Sequence, residues 1–275
     1  MTRTLRSYDR LISHRFRGFA PEENTPAGLR AALSFGVKYL EFDIRVAKCG
    51  TPMVYHDEFA VDRSGKRQLI CDVMAKEFEH VGGRFATIPS AEALFAAAAA
   101  HSNKSGHFLV DIKDAGFEIE IHALVMAAGL GGRVTYVSWI PEALYQIHAI
   151  APDIPLCLSH WCKDPHPLIR ANHTVHTANN GEIAQGPFRR IHGHRSGYYV
   201  KGGVSGRMRD MLIKTGGSVC VPQDMVTAAL VSDYHADGIT VSTFSYVNWA
   251  AIETHNEAMN IDLYFIDDKR VFDAL

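Results

Sequence analysis

Apolar positions along this chain fall into two alternating rhythms. Short runs rich in β-branched and aromatic residues end in charged side chains. Longer runs start near Pro, Ser or Thr and stop at Gly, as helices do. Leu11 to His14 reads as a first strand, and Thr25 to Phe35 as a first helix with Pro26 in its opening turn and Gly36 as its stop. Tyr39 to Val46 reads as a second strand, and Pro52 to His56 as a short extra strand or extended loop. Pro89-Ser90 opens a helix over Ala91 to Ala100, whose alanine run is good helix former and carries no motif. Then follow strand Phe108 to Ile112, helix Glu118 to Ala128 stopped by Gly129, strand Val134 to Val137, helix Pro141 to Ile150 and strand Pro155 to Leu158. From about 160 to 207 the chain is polar, rich in His, Asn and Gly, and without clear period. Beyond it come helix Met208 to Thr215, strand Ser218 to Val221, helix Asp224 to His235, strand Ile239 to Val241, helix Val247 to Met259, strand Leu263 to Ile266 and a last helix from Asp268.

Strands alternating with helices predict a parallel sheet. Roughly eight strand–helix units within 275 residues favour a closed (β/α)8 TIM barrel over an open sheet. No GxGxxG follows the first strand, which counts against a dinucleotide-binding open sheet. The expectation is one domain over 1–275 with a loop-rich insertion around 160–207. A hydrophobic share of 47% supplies a sizeable core. A net charge of −2 with scattered Lys and Arg argues against a nucleic-acid partner, and none is expected. The five cysteines are odd in number and form no pair of CxxC units, so reduced thiols in a cytoplasmic protein are expected. No signal peptide and no membrane span are read.

The chemistry gathers at the ends of the predicted strands. Glu41 and Asp43 lie two apart on one strand and so share a face, as do Asp111 and Lys113 on another. A closed barrel has no edge on which such carboxylates could simply be exposed. Buried side by side they repel, and a divalent cation between them resolves the conflict. Glu41, Asp43 and Asp111 are the expected ligands; oxygen donors select one Mg²⁺ or Ca²⁺ over Zn²⁺. His14 and His56 have ordinary pKa values near neutrality, so one can take a proton while the other gives one. Lys113 and Arg15 are candidate phosphate clamps. Arg15 alternates to the face opposite His14 in an ideal strand, so its role requires relaxed geometry at the strand end. The set suggests hydrolysis or transfer at a phosphate.

Five motifs in order resemble the glycerophosphodiester phosphodiesterases: His14-Arg15-Phe16-Arg17-Gly18, Ala20-Pro21-Glu22-Glu23-Asn24-Thr25, Glu41-Phe42-Asp43-Ile44, His56-Asp57-Glu58 and Asp111-Ile112-Lys113. Asp62-Arg63, Ile88-Pro89-Ser90-Ala91-Glu92 and Ser138 are further echoes. The resemblance is dense over 11–113 and thin but in register over 134–158 and 218–268. It implies a barrel that cleaves a small phosphodiester, glycerophosphocholine or similar, with His14 and His56 as acid and base. It also implies Glu41, Asp43 and Asp111 as metal ligands, and Arg15 and Lys113 as phosphate contacts. The attacker is water or a neighbouring substrate hydroxyl acting through a cyclic phosphate.

The chain departs from the family pattern in several places. Asp111 stands where the family usually has Glu, a feature shared with sphingomyelinase D-type phospholipases that act on choline lipids. One glutamate is inserted before Asn24, Phe16-Arg17 separates Arg15 from Gly18, and Phe244 or Tyr246 replaces the usual C-terminal Trp. The alternatives are therefore a sphingomyelinase D- or lysophospholipase D-like enzyme, or a catalytically weak barrel that binds a phosphate ligand. His173, His176, His192 and His194 read as loop histidines, and Cys157, His160 and Cys162 lack a fourth zinc ligand. Trp139 and Phe244 read as packing residues that could line a head-group pocket.

Overall fold

The computed structural model describes residues 8–162, 173–177, 195–200 and 202–275. β1 (Leu11–His14) and β2 (Tyr39–Val46) are followed by β3 (Pro52–Val54), which runs antiparallel to β2, and by a hairpin of β4 (Phe59–Val61) and β5 (Arg67–Leu69). β6 (His107–Ile112), β7 (Val134–Ser138) and β8 (Leu156–Ser159) come next. β9 (His173–Thr177) and β10 (Arg195–Tyr199) pair with each other in a separate parallel ribbon. β11 (Ser218–Pro222), β12 (Thr240–Tyr246) and β13 (Leu263–Ile266) complete the strands. Eight of them pair in parallel in the order β1-β2-β6-β7-β8-β11-β12-β13, and β13 returns to β1. The sheet is thus the closed (β/α)8 barrel expected from the alternation.

The helices are α1 (Pro26–Phe35), α2 (Phe78–Val81), α3 (Ala91–Ala100), α4 (Glu118–Ala127), α5 (Pro141–Ile150), α6 (Gly206–Lys214), α7 (Ala228–Ala236), α8 (Trp249–Met259) and α9 (Arg270–Asp273). Local chemistry sets their ends. Thr25 Oγ1 accepts from Gly28 N at the start of α1, and Gly36 at φ 94 closes it in the left-handed conformation. Ser90 and Asn248 cap α3 and α8 in the same way. α7 begins at Ala228 rather than at Asp224. Thr227 is its cap, and Met225 N and Val226 N are already spent on Pro222 O in a turn. β12 runs on to Tyr246, past the sequence reading, because Phe244 still pairs with Pro222 of β11.

Two faces of each barrel strand have different work. Leu40, Phe42 and Ile44 of β2, with Phe108, Val110 and Ile112 of β6, belong to the layer packed against the helices. Ile12, Leu109, Val137, Cys157, Cys220 and Phe265 form a separate apolar cluster, contributed by alternate positions of six barrel strands. Glu41, Asp43 and Asp111 take the same alternation toward the C-terminal ends of β2 and β6. A smaller core, including Met53, Tyr55, Phe78 and Phe85, organises the stretch between β3 and α3, where no element was read from the sequence. Of the expected insertion around 160–207, the ribbon β9–β10 and the approach to α6 are described; the rest lies outside the described residues.

Candidate active site

Strand register brings the predicted residues together. Asp43 lies opposite Asp111 across β2 and β6, and His14 lies opposite Glu41 across β1 and β2. Carboxylate oxygens of Glu41, Asp43 and Asp111 all lie within 4.8 Å of one another, and all three residues are buried. Lys113 Nζ sits 2.5 Å from Asp111 Oδ2 and 3.1 Å from Asp43 Oδ1, and Arg15 Nε lies 3.2 Å from Asp43 Oδ2. Three carboxylates thus face two cations. Burial, then Asp43 and Asp111, pushes the Glu41 carboxyl well above its usual range. Burial pushes the Asp43 carboxyl up too, yet Lys113 and Arg15 hold it well below that range. Asp111 is raised by burial and by Asp43, against Lys113, and its Oδ1 is buried with no hydrogen-bond partner. An excess of negative charge, a carboxyl pushed well above its ordinary range and an unbonded buried oxygen are what a set of cation ligands shows when protein groups alone face it. The donors present fit a divalent cation.

Arg15 reaches this cluster because the chain leaves β1 through left-handed residues. Arg15 has φ 57 and Phe16 φ 58, which breaks strand alternation and supplies the relaxed geometry that Arg15 requires. Phe16 is buried against Phe42 and anchors the turn. Asn24, also left-handed at φ 59, donates from Nδ2 to Asp43 Oδ2 at 2.9 Å. The sequence motif contained Asn24 but assigned it no role. The two departures in the first loop interlock: Arg17 Nε bonds Glu23 Oε2 at 2.7 Å, and Glu23 also lies 3.4 Å from Arg15 Nη1.

Both histidines stand over this rim with a carboxylate behind each. His14 Nδ1 is 2.6 Å from Asp267 Oδ1, and its Nε2 is 3.7 Å from Glu41 Oε2. Asp267, just past β13, also accepts from Ser245 Oγ at 2.6 Å and pairs with Arg17 Nη1 at 2.7 Å. His56 Nδ1 is 2.8 Å from Asp57 Oδ1. Burial lowers the pKa of His14 against the opposing pull of Asp267, and pushes that of His56 down to about 3. Burial raises the Asp267 carboxyl, but the hydrogen bond and charge of His14 bring it far below its ordinary range. Asp267 was missed from the sequence. Its signal, an acid at the end of an apolar strand, was the one used for Asp43 and Asp111.

Comparison with known families decides what kind of barrel this is. The model of the glycerophosphoryl diester phosphodiesterase family matches residues 12–164, more than half of the chain. The chain belongs to that family. The phosphodiesterase class expected from the motifs is therefore borne out, and all seven predicted site residues lie within the matched span. No curated protein matches. Solved structures share the fold. They include a proposed glycerophosphoryl diester phosphodiesterase from Silicibacter pomeroyi DSS-3 (20% identity, TM-score 0.69, covering 96% of this chain and 93% of that one). A glycerophosphodiester phosphodiesterase from Parabacteroides distasonis aligns at 16% identity and TM-score 0.66, over 96% and 95% of the two chains. An Oleispira antarctica phosphodiesterase in complex with the product sn-glycerol-3-phosphate aligns at 19% identity and TM-score 0.64, over 96% of each.

Two further residues brace the family's His-Asp and strand-end motifs here. Buried Arg45 donates from Nε to His56 O at 3.0 Å and from Nη1 to Lys113 O at 3.2 Å and Asp114 Oδ1 at 2.9 Å. Asp114 Oδ2 in turn accepts from Val46 N at 2.9 Å. Behind Lys113 opens a cavity of about 240 Å³, walled in part by Lys48, Glu58, Phe117 and Trp139. Ser138 is a strut, donating to Ile112 O and accepting from Ile140 N. Trp139 packs in the core as well as lining the cavity, and Phe244 packs against Phe265. Among the described residues Glu41, Asp43 and Asp111 are the one grouping with metal-ligand geometry. His160 Nε2 instead lies 2.8 Å from Tyr234 Oη, and Cys162 Sγ donates to Met225 O. His192 and His194 lie outside the described residues. Among the described residues no helix is long and apolar enough to cross a membrane.

Proposed function

We propose that this chain is a divalent-cation-dependent phosphodiesterase that hydrolyses glycerophosphodiesters, glycerophosphocholine or similar small esters, to glycerol 3-phosphate and an alcohol. The observation that carries the reading is the convergence of Glu41, Asp43 and Asp111, with oxygens within 4.8 Å, beneath two carboxylate-backed histidines. The product seen in the Oleispira antarctica relative supports the choice of product.

Glu41, Asp43 and Asp111 would hold one Mg²⁺ or Ca²⁺, the ions suited to an all-oxygen site. A cation held there would supply Lewis-acid polarisation of the phosphoryl group and charge to offset that on its oxygens. Lys113 has three N–H donors; two partners are Asp43 and Asp111, and its positive charge serves a phosphoryl oxygen beside them. Arg15 contributes positive charge from the opposite side of Asp43. Asp267 accepts the Nδ1 proton of His14, which leaves His14 Nε2 on the carboxylate side for proton transfer. Asp57 does the same for His56. One histidine takes the proton of the attacking oxygen, and the other returns a proton to the oxygen of the leaving alcohol. The same pair serves direct attack by water and the route through a cyclic phosphate.

Release of glycerol 3-phosphate from a panel of glycerophosphodiesters, with Mg²⁺, with Ca²⁺ and with chelator, tests the reading. Metal-dependent release is expected, and Glu41→Ala should lower it by about 100-fold or more at saturating metal. Full activity of Glu41→Ala, or metal binding without any turnover, would sink it.

A further inference from the structure

β2 gives the face that carries Glu41 and Asp43 to a third charged residue, Arg45, two positions on. Arg45 is 8% exposed, and its guanidinium makes bonds on both sides of the strand. On the β6 side, Lys113 N donates to Ile44 O. A regular parallel ladder would next join Val46 N to Lys113 O. Instead Val46 N donates to Asp114 Oδ2 at 2.9 Å, and Lys113 O accepts from Arg45 Nη1 at 3.2 Å. Asp114 Oδ1 accepts from the same Nη1 at 2.9 Å. On the β3 side, Tyr55 N donates to Asp43 O, and His56 stands one residue past that bond. Arg45 Nε reaches the His56 carbonyl at 3.0 Å.

We propose that Arg45, aimed by Asp114, is the positioning residue for His56, and that it sets the imidazole over the carboxylate cluster through the His56 carbonyl. The inference rests on the phosphodiesterase reading above and adds to it what fixes the proton-transfer geometry. A neutral ladder bond would end β2 and β6 without taking a charge out of water. A buried ion pair in its place adds little stability, since desolvation offsets much of the attraction. What the exchange adds is reach. A guanidinium carries five N–H donors in one rigid plane, so a single group bonds carbonyls on both sides of β2. Nε and Nη1 thereby fix the spacing between His56 and Lys113. Asp57 bonds the ring but is the next residue of the same loop, so it orients the imidazole without placing its backbone. Placement matters because a shift of about 1 Å at a reacting group can cost about 100-fold in rate.

The test is a double-mutant cycle in kcat on a glycerophosphodiester, with the intact chain and Mg²⁺. Arg45→Met should lower kcat by about 10–100-fold with KM nearly unchanged. Arg45→Lys should recover part of that loss, because an ammonium still meets one carbonyl but not both in a fixed plane. In a His56→Ala background, Arg45→Met should cost less than about twofold, since the group it places is gone. Mg²⁺ affinity, measured by calorimetry, is expected to stay unchanged in each Arg45 variant, because the register of β2 on β6 holds the carboxylates. Where Arg45→Met does not fold, Arg45→Lys carries the same cycle. An equal loss in both backgrounds, or an unaltered kcat, would overturn the role. A fall in Mg²⁺ affinity that accounts for the fall in kcat would overturn it too, by assigning Arg45 to the carboxylate cluster. Absence of turnover by the unmodified protein, with Mg²⁺ bound, would instead remove the phosphodiesterase reading, and the role of Arg45 with it.

Discussion

Asp267 holds three partners at once, His14, Ser245 and Arg17, and stands 253 positions from His14 in the chain. Nothing near His14 in sequence announces it. Its carboxylate fixes the ring orientation and the tautomer, a role that in other histidine sites is worth orders of magnitude in rate. Asp267→Ala is therefore expected to lower kcat by about 10–100-fold with KM nearly unchanged, and Asp267→Asn to recover part of the loss. Steady-state kinetics on a glycerophosphodiester measures this. A change confined to KM would assign Asp267 to substrate binding instead. Arg15 teaches a related point. Strand alternation aims it away from His14, yet two successive left-handed residues return it to Asp43. Side-chain direction at a strand end is a property of the loop, not of the period.

Elements with a strong period were legible, and elements without one were not. α3 and α5 run over the residues expected: in α3 the Ser90 start and the helix propensity of the alanine run agree, and in α5 apolar spacing and the Pro141 start agree. The stretch between β3 and α3 consists of three-residue strands, single helical turns and a satellite core, too short for any period to accumulate. Close approaches hold such segments. Gly18 closes the first loop at φ 79, where a Cβ would stand 2.7 Å from Lys269 Cβ. Gly18→Ala meets both a left-handed backbone and a backbone-anchored neighbour. It is expected to destabilise the fold by about 1–3 kcal/mol, read as a lower denaturant midpoint at unchanged m-value. An unshifted midpoint would show that the loop gives way without cost. β2 is the opposite case: one strand, buried nearly throughout, carries Glu41, Asp43 and Arg45 and sets the site by register alone.

At the scale of the molecule, acid stability follows from histidines that fold neutral. Burial holds His160 down at about 4 against an ordinary value of 6.5, and it is fully buried with Tyr234 as partner. A lowered pKa means that the unfolded chain binds the proton first. The stability contribution is complete above pH 6.5 and is lost as pH falls toward about 4, on the order of 3 kcal/mol across that window. His107, also lowered to about 4 by burial, adds to the same window. His160→Gln should flatten the fall in unfolding free energy between pH 6.5 and 4. An unchanged slope would show that carboxylates, not His160, control acid unfolding. By itself, the sequence determined the barrel and the family, because eight alternating apolar runs and five ordered motifs are local patterns. It also determined which carboxylates share a face, since that needs only the two-residue period of a strand. Only the tertiary structure decided that Asp43 faces Asp111, that Asp267 stands behind His14, that Arg45 joins His56 to Lys113, and that a polar cavity opens beside them. Those contacts depend on how separate strands and loops meet when the sheet closes, and chain spacing holds no record of that geometry.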